Sequence, residues 1–412
     1  MTTQFTLSNG LRVIAEKLPH LRSASLGVWV RAGSILESPE ENGLSHFIEH
    51  LAFKGTQRRS ARQIAREMDA AGGYLNAATS KLNTVYYAKV IDEDLPLAAD
   101  ILADIVIHPA YDPAEMDKER SVVLEEISMT DDSPEDVAYD LIAEAMFGDQ
   151  SLGRTILGPR GNIESCKRED ILSFRARHYS PANTCIAAAG NFEMEQLRDL
   201  LEQHFGSWQG EGLQVYPENR ANESVRVLTA DKDTEQAHLC LGYSGCPLGS
   251  EDIYPMAVFN NVLGGGMSSR LFQRIREESA LAYSVYSTPS SYPCCGDFII
   301  YAAVSPKNIR TAVSQIDEEI AVLLREGVPS EEFEMARAQL KGGFILGQES
   351  AYNRMNGMGS NLSLLGRHIS AEETIRRIEE VTPDDVMRCA RQILTRNRSE
   401  AYVGKRIQKH IG

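Results

Sequence analysis

The sequence predicts an α+β fold made of two structurally similar α/β units, each a mixed, mostly antiparallel sheet packed by helices. Two observations predict it. Short alternating or apolar runs with the two-residue period of strands are interleaved with amphipathic stretches of helical period. The order strand, strand, helix, helix, strands, helices, closing strand then occurs twice, once on each side of a glycine-rich polar segment. With 412 residues, 42% hydrophobic and 24% charged, the chain is long enough for two sizeable cores and has the make-up of a soluble globular protein.

Residues 11–16 and 24–32 alternate or run apolar, as strands do. Asn42 and Gly43 open a short amphipathic helix that Lys54 and Gly55 close, and Ser60 is the candidate N-cap of a second helix stopped by Gly72 and Gly73. Residues 73–91 read as two strands joined by a polar turn at Ser80–Asn83. Helices are expected at 94–107, 113–131, 134–147 and 168–178, then a strand at 184–189 and a helix at 193–205. Residues 206–222 carry glycine and polar side chains without a period, as a connection does. Beyond them the pattern gives strands at 225–230 and 236–244, helices at 252–263 and 268–278, strands within 283–304, long helices from 307 and a closing strand near 400–404. Aligning the halves pairs Tyr87 with Tyr301 and Pro113 with Pro329. The expected domains are 1–207 and 223–412, joined by a linker at 208–222.

Acidic residues outnumber basic ones by 58 to 42, for a net charge of -16, which disfavours nucleic acid and anionic lipid and favours basic peptides. The N-terminus lacks a basic start and an apolar core, so no secretory signal is expected, and no run is long enough to span a membrane. The seven cysteines form an odd, unpatterned set that fits a reducing cytoplasm.

The strongest chemical signal is His46-Phe-Ile-Glu49-His50. On a helix, positions i and i+4 share one face, so both imidazoles can reach a single ion while Glu49 projects beside them. This is the inverted zincin order, H-x-x-E-H, in which the histidines bind zinc and the glutamate polarises its water. A catalytic zinc needs a third ligand from another element. The acidic helix over 113–131 supplies Glu119 and Glu126, seven residues apart on one face, with Val122 and Val123 on the apolar side between them. Glu125 competes for the ligand role but points about 100° away from Glu126. A buried carboxylate here would need a cation partner.

The motif, the glutamates downstream of it, and the stretches Gly43–Thr56 and Gly72–Tyr87 resemble the pitrilysin/insulysin family of zinc peptidases over essentially the whole chain. The likeness is to the short bacterial type, similar to the mitochondrial processing peptidase β subunit. It implies one zinc per chain held by His46, His50 and Glu126, with Glu49 as catalytic base and Glu119 orienting a ligand from the second shell. Asn76 and Ala77 match the family's edge strand, to which substrate backbone adds as an extra strand. Arg276 and Tyr283 match an arginine and tyrosine that contact substrate and the tetrahedral intermediate.

In the aligned second half, His46 falls on Ala257, Glu49 on Asn260, His50 on Asn261, Glu119 on Met335 and Glu126 on Gly342. Domain 1–207 is therefore expected to be catalytic, and 223–412 a degenerate copy that shapes the substrate chamber. The expectation is a zinc metalloendopeptidase acting on oligopeptides or unfolded, basic segments, with a homodimer completing the chamber. The rival expectations are a non-catalytic assembly subunit and a dedicated presequence-type processing peptidase.

Overall fold

The computed structural model describes residues 2–210, 212–222 and 224–411. Glu211 of the expected linker, and Met1, Glu223 and Gly412 at the expected domain bounds, lie outside the described residues.

In chain order the first half forms β1 (Thr2–Thr6), β2 (Arg12–Lys17), β3 (Ser23–Val30), α1 (Leu44–Ala52), α2 (Ala61–Ala70), β4 (Tyr74–Thr79) and β5 (Thr84–Ile91). It continues with α3 (Leu95–Ile107), α4 (Pro113–Asp132), α5 (Pro134–Phe147), α6 (Arg160–Ser165), α7 (Arg168–His178), β6 (Thr184–Gly190) and α8 (Met194–Phe205). The second half forms β7 (Val227–Asp231), β8 (Ala237–Ser244), α9 (Ile253–Leu263), β9 (Ala282–Ser291) and β10 (Gly296–Val304). It continues with α10 (Ile309–Glu326), α11 (Ser330–Gly347), α12 (Ala351–Leu365), α13 (Ala371–Glu380), α14 (Pro383–Leu394) and β11 (Ser399–Gly404), and ends in the short helix α15 (Gln408–Ile411). Local chemistry sets many of these limits. Ser60, for example, caps α2 through a reciprocal pair of bonds with Gln63. Several elements depart from expectation, among them α6, which falls between the helices expected at 134–147 and 168–178. Strand β1 has no apolar alternation to announce it, and the helix expected at 268–278 is a π-wound segment over Phe272–Glu278.

Two mixed, mostly antiparallel sheets result, as the sequence predicts. The first runs β1-β2-β6-β3-β5-β4 and the second β7-β11-β8-β10-β9. In each, one pair is parallel, β2 with β6 and β7 with β11, because the closing strand returns only after a long helical crossover. Leaving out β1, the two sheets match strand for strand.

The chain divides into two compact units. One comprises Met1–Ile127, Thr155–Pro217 and Gly347–Ile369, the other Ser128–Arg154, Glu218–Leu346 and Ser370–Gly412. Each unit thus takes one helix from the other half of the chain. In the first unit, α12 lays Met355, Met358 and Leu362 over Ile14, Trp29 and Ala187. Gly359 permits this approach, since a Cβ there would lie 2.5 Å from the Trp29 ring. In the second unit, α5 sets Ile142 and Met146 against Gly242 of β8, where a Cβ would lie 2.5 Å from the methionine sulfur. The opposite faces carry the larger cores, with Leu26, Val28, Tyr86, Ile101 and Leu102 in the first unit and Leu239, Phe259, Phe298, Ile300 and Ile316 in the second. Each side chain buried in this way contributes roughly 1.5–3 kcal/mol. Among the described residues no helix is long and apolar enough to cross a membrane.

Candidate metal centre

Helix α1 is anchored in the first core by Leu44, Phe47, Ile48 and Leu51. That anchoring turns the remaining face, with His46, Glu49 and His50, toward α4 and the end of β4. The two imidazole rings are 4.5 Å apart, centroid to centroid. Glu126 of α4 brings Oε2 to 3.3 Å from His50 Nε2 and 3.6 Å from His46 Nε2. One ligand atom from each of the three residues lies within 4.8 Å of the others, and they are the one such group of His, Cys, Asp and Glu among the described residues.

The surroundings fit a zinc ion. His50 Nδ1 donates to Glu119 Oε1 at 2.8 Å, which leaves Nε2 with its lone pair directed at Glu126. Two imidazoles and one carboxylate are a borderline donor set suited to Zn²⁺, and three protein ligands leave a position for water or substrate. Glu119 is almost fully buried, and its second oxygen meets Lys54 Nζ at 2.6 Å. The cation partner that a buried carboxylate requires is therefore Lys54. Along the same helix Val123 is buried, but Val122 is exposed and does not join the apolar side expected of it. Met116, Val123 and Ile127 are the apolar residues buried on the face that carries Glu119.

Electrostatics separates the members of the cluster. Burial, and then the neighbouring His50, hold the His46 imidazole down to about 4, so the ring is neutral at physiological pH, the form in which an imidazole can ligate a metal. His50 has the opposite tendency: burial would lower it, but the bond to Glu119 and the charges of Glu126, Glu119 and Glu49 outweigh burial and raise it. Burial raises Glu49 above the usual carboxylate range, against the hydrogen bond from Thr79 Oγ1 at 2.5 Å. A carboxylate with raised proton affinity, fixed by a hydroxyl, is suited to accept and return a proton. Glu119 is lowered: burial opposes the shift, but the bonds from His50 and Lys54 prevail.

Asn76 and Ala77 lie on β4, the free edge of the first sheet. The Ala77 N–H points away from β5 and donates to Asn76 Oδ1 at 2.9 Å, while Asn76 Nδ2 donates to Tyr74 Oη at 2.7 Å. Arg276 and Tyr283 come together in the second unit, with the guanidinium 5.3 Å from the tyrosine ring centroid and 4.7 Å from that of Phe272. Tyr283 is 75% exposed. Three residues of the first-unit constellation have no site role in the sequence reading: Lys54, read there only as closing the helix, Thr79, and Glu37, which accepts from the Gly43 and Ser45 amides at the start of α1. Lys54 stands one helical turn beyond His50, and Thr79 three residues after Asn76 on the same strand, so the spacing could have found both.

Residues 12–160 match the family model described as Insulinase (Peptidase family M16), and residues 165–340 the one described as Peptidase M16 inactive domain. A Bacillus subtilis protein named the uncharacterized zinc protease YmxG is 42% identical over 98% of both chains. A Mycobacterium tuberculosis protein, named the uncharacterized zinc protease Rv2782c, is 41% identical over 97% of this chain and 92% of its own. The crystal structure of a protease from Helicobacter pylori shares the fold, with a TM-score of 0.93 over 98% of this chain and 99% of that one, at 22% identity.

Proposed function

We propose that this chain, which belongs to the insulinase (M16) family of peptidases and is a zinc protease, is an endopeptidase of extended oligopeptides and unfolded segments, basic ones above all. The observation that carries the reading is the convergence of His46, His50 and Glu126 beside Glu49. His46, His50 and Glu126 would hold one zinc per chain, and Glu119 with Lys54 would keep His50 in its ligating tautomer. When bound, zinc supplies the Lewis acidity that polarises the scissile carbonyl and acidifies water. Glu49 takes the proton of the attacking water and passes it to the leaving amine, with Thr79 fixing its orientation. The outward amide of Ala77 would pair with substrate backbone once Asn76 turns aside, which selects extended chains over folded ones. Arg276 and Tyr283 would stabilise the oxyanion.

The second copy, without counterparts to the ligands, would shape the chamber, and a homodimer would supply Arg276 and Tyr283 from the partner. The net charge of -16 supports a preference for basic peptides, and the odd set of seven cysteines supports a cytoplasmic setting.

The test is the zinc content of the purified protein and its cleavage of a quenched basic peptide, alongside Glu49→Gln. We expect about one zinc per chain, and for Glu49→Gln retained zinc with kcat lower by roughly 10²–10⁴-fold. Zinc bound without turnover by the wild type would favour a non-catalytic assembly subunit. An active monomer in gel filtration would remove the dimer.

A further inference from the structure

Glu37 lies in the loop between β3 and α1 and is only 3% exposed. Its Oε1 accepts the Ser45 N–H at 2.7 Å, and its Oε2 accepts the Gly43 N–H at 2.9 Å and Asn42 Nδ2 at 3.0 Å. Two of these donors are backbone amides at the N-terminal end of α1, where a helix leaves its first N–H groups without internal partners. The residue directly before the helix, Gly43, has no side-chain cap of its own. A glutamate six residues back does that work. The turn that brings the amides to it requires glycine, because φ at Gly43 is +104° and a Cβ would lie 2.5 Å from the Leu157 carbonyl oxygen. Asn42 is fixed in turn by donating to the Thr155 carbonyl at 2.9 Å.

The position matters for the metal centre because His46 is the third residue of α1. The N-terminal end of a helix carries roughly half a positive charge, which falls off within the first turn. A dication held by His46 would feel that repulsion. A carboxylate on the Ser45 and Gly43 amides offsets it, while tying down the turn that carries His46. Burial raises the Glu37 carboxyl, opposed by the N–H groups of Asn42, Ser45 and Gly43. With N–H donors on both oxygens, the ionised form is the one these contacts satisfy.

We propose that Glu37 is a positioning residue for the metal centre: its carboxylate fixes the first turn of α1, offsets the helix's positive end, and thereby sets how tightly His46 and His50 hold zinc. The proposal rests on the zinc reading above. Its test is zinc affinity, by competition with a chromophoric chelator, together with kcat and KM on the basic peptide and the melting temperature. The proteins compared are the wild type, Glu37→Gln, Glu37→Asp and, as a stability control in the second unit's core, Ile300→Ala. Glu37→Gln keeps the shape and removes the charge, and we expect zinc affinity to fall roughly 10-fold to 100-fold, as for other groups that support ligands. KM on the zinc-saturated protein should stay within about twofold, since this carboxylate does not reach substrate. Glu37→Asp should recover part of the affinity, and Ile300→Ala should lose stability without losing zinc. Wild-type zinc affinity in Glu37→Gln, or an equal loss in Ile300→Ala, overturns the proposal while leaving the zinc reading intact. A wild type that binds no zinc overturns both.

Discussion

The two units carry the same five-strand plan and differ in what they hang on it. In the first, α1 is tied to the edge strand by the hydrogen bond between Glu49 and Thr79 of β4, and to α4 by the bond between His50 and Glu119. In the second, Asn260 of α9 accepts from Ser287 of β9, and Asn261 donates to the Ala336 carbonyl of α11. Asn260 and Asn261 are the residues that align with Glu49 and His50. The same two tethers, helix to edge strand and helix to helix, therefore recur with neutral amides in place of ionisable groups. The edges differ as well. Counted from Tyr87 and Tyr301, Ala77 and Ser287 hold the same register, facing Tyr86 and Ile300. The outward Ser287 N–H is taken by the Gly264 carbonyl at 3.2 Å, whereas that of Ala77 donates to the side chain of its neighbour Asn76. The frame thus stands without chemistry, and a few polar replacements on it separate a centre able to hold an ion from one that is not.

The sharpest way to break the comparison is to give the first unit the second unit's residue. His50→Asn should abolish stoichiometric zinc binding and lower kcat/KM roughly a thousandfold or more, about 4 kcal/mol of barrier, because two ligands do not hold a catalytic zinc. Circular dichroism should show the fold retained, as it is in the copy that carries Asn261. Retained zinc and activity would mean that the ion is not held by α1.

Much of this was legible in the residues. The i, i+4 histidines fix the face of α1 whatever the tertiary setting, and the caps and turns at Gly43, Ser60 and Ser80–Asn83 mark element ends chemically. Glu126 was harder, since an acidic helix offers several carboxylates and only the resemblance chose among them. The exchange of α5 and α12 was not legible at all. Helical periodicity says that a face is buried, not which sheet covers it, and the glycines that permit the two contacts, Gly242 and Gly359, look like any others. Glu37 is not legible because its bonds run forward to Asn42 and to the Gly43 and Ser45 amides, and backbone donors leave no side-chain pattern.

A smaller effect sharpens the difference between the edges. Ala77→Pro removes the outward N–H while keeping a φ that an edge strand tolerates, so KM for extended peptides should rise about tenfold, near the net worth of one hydrogen bond, with zinc content unchanged. Ser287→Pro removes an amide already used internally. Because it also removes the hydroxyl that donates to Asn260, it should cost about 2 kcal/mol of stability or more and leave KM alone. Equal KM increases in both variants would show that β4 has no special part in holding the peptide.

The smallest expected effect concerns a pH response carried by one unit. His178, at the end of α7, is 5% exposed, lies 4.3 Å from the Phe174 ring, and has no hydrogen-bond partner for either ring nitrogen among the described residues. The matching end of α14 carries Ile393 and Leu394, both buried and apolar. Burial, and then the charge of Arg177, hold the His178 imidazole down to about 4, with Glu41 opposing. Unfolded, it would titrate near 6.5. Below that value the unfolded chain binds the proton and the folded chain does not, so the stability present above about pH 6.5 is lost as the pH falls toward 4. At pH 5.5 the loss is on the order of 1 kcal/mol, a few degrees in melting temperature. His178→Leu supplies the second unit's solution and removes this response, so the melting temperatures of wild type and variant should diverge between pH 7.5 and 5, with the variant gaining on the acid side. Taking the difference cancels every other titrating group, and two curves that run parallel over that range would show that His178 is not buried as a neutral ring.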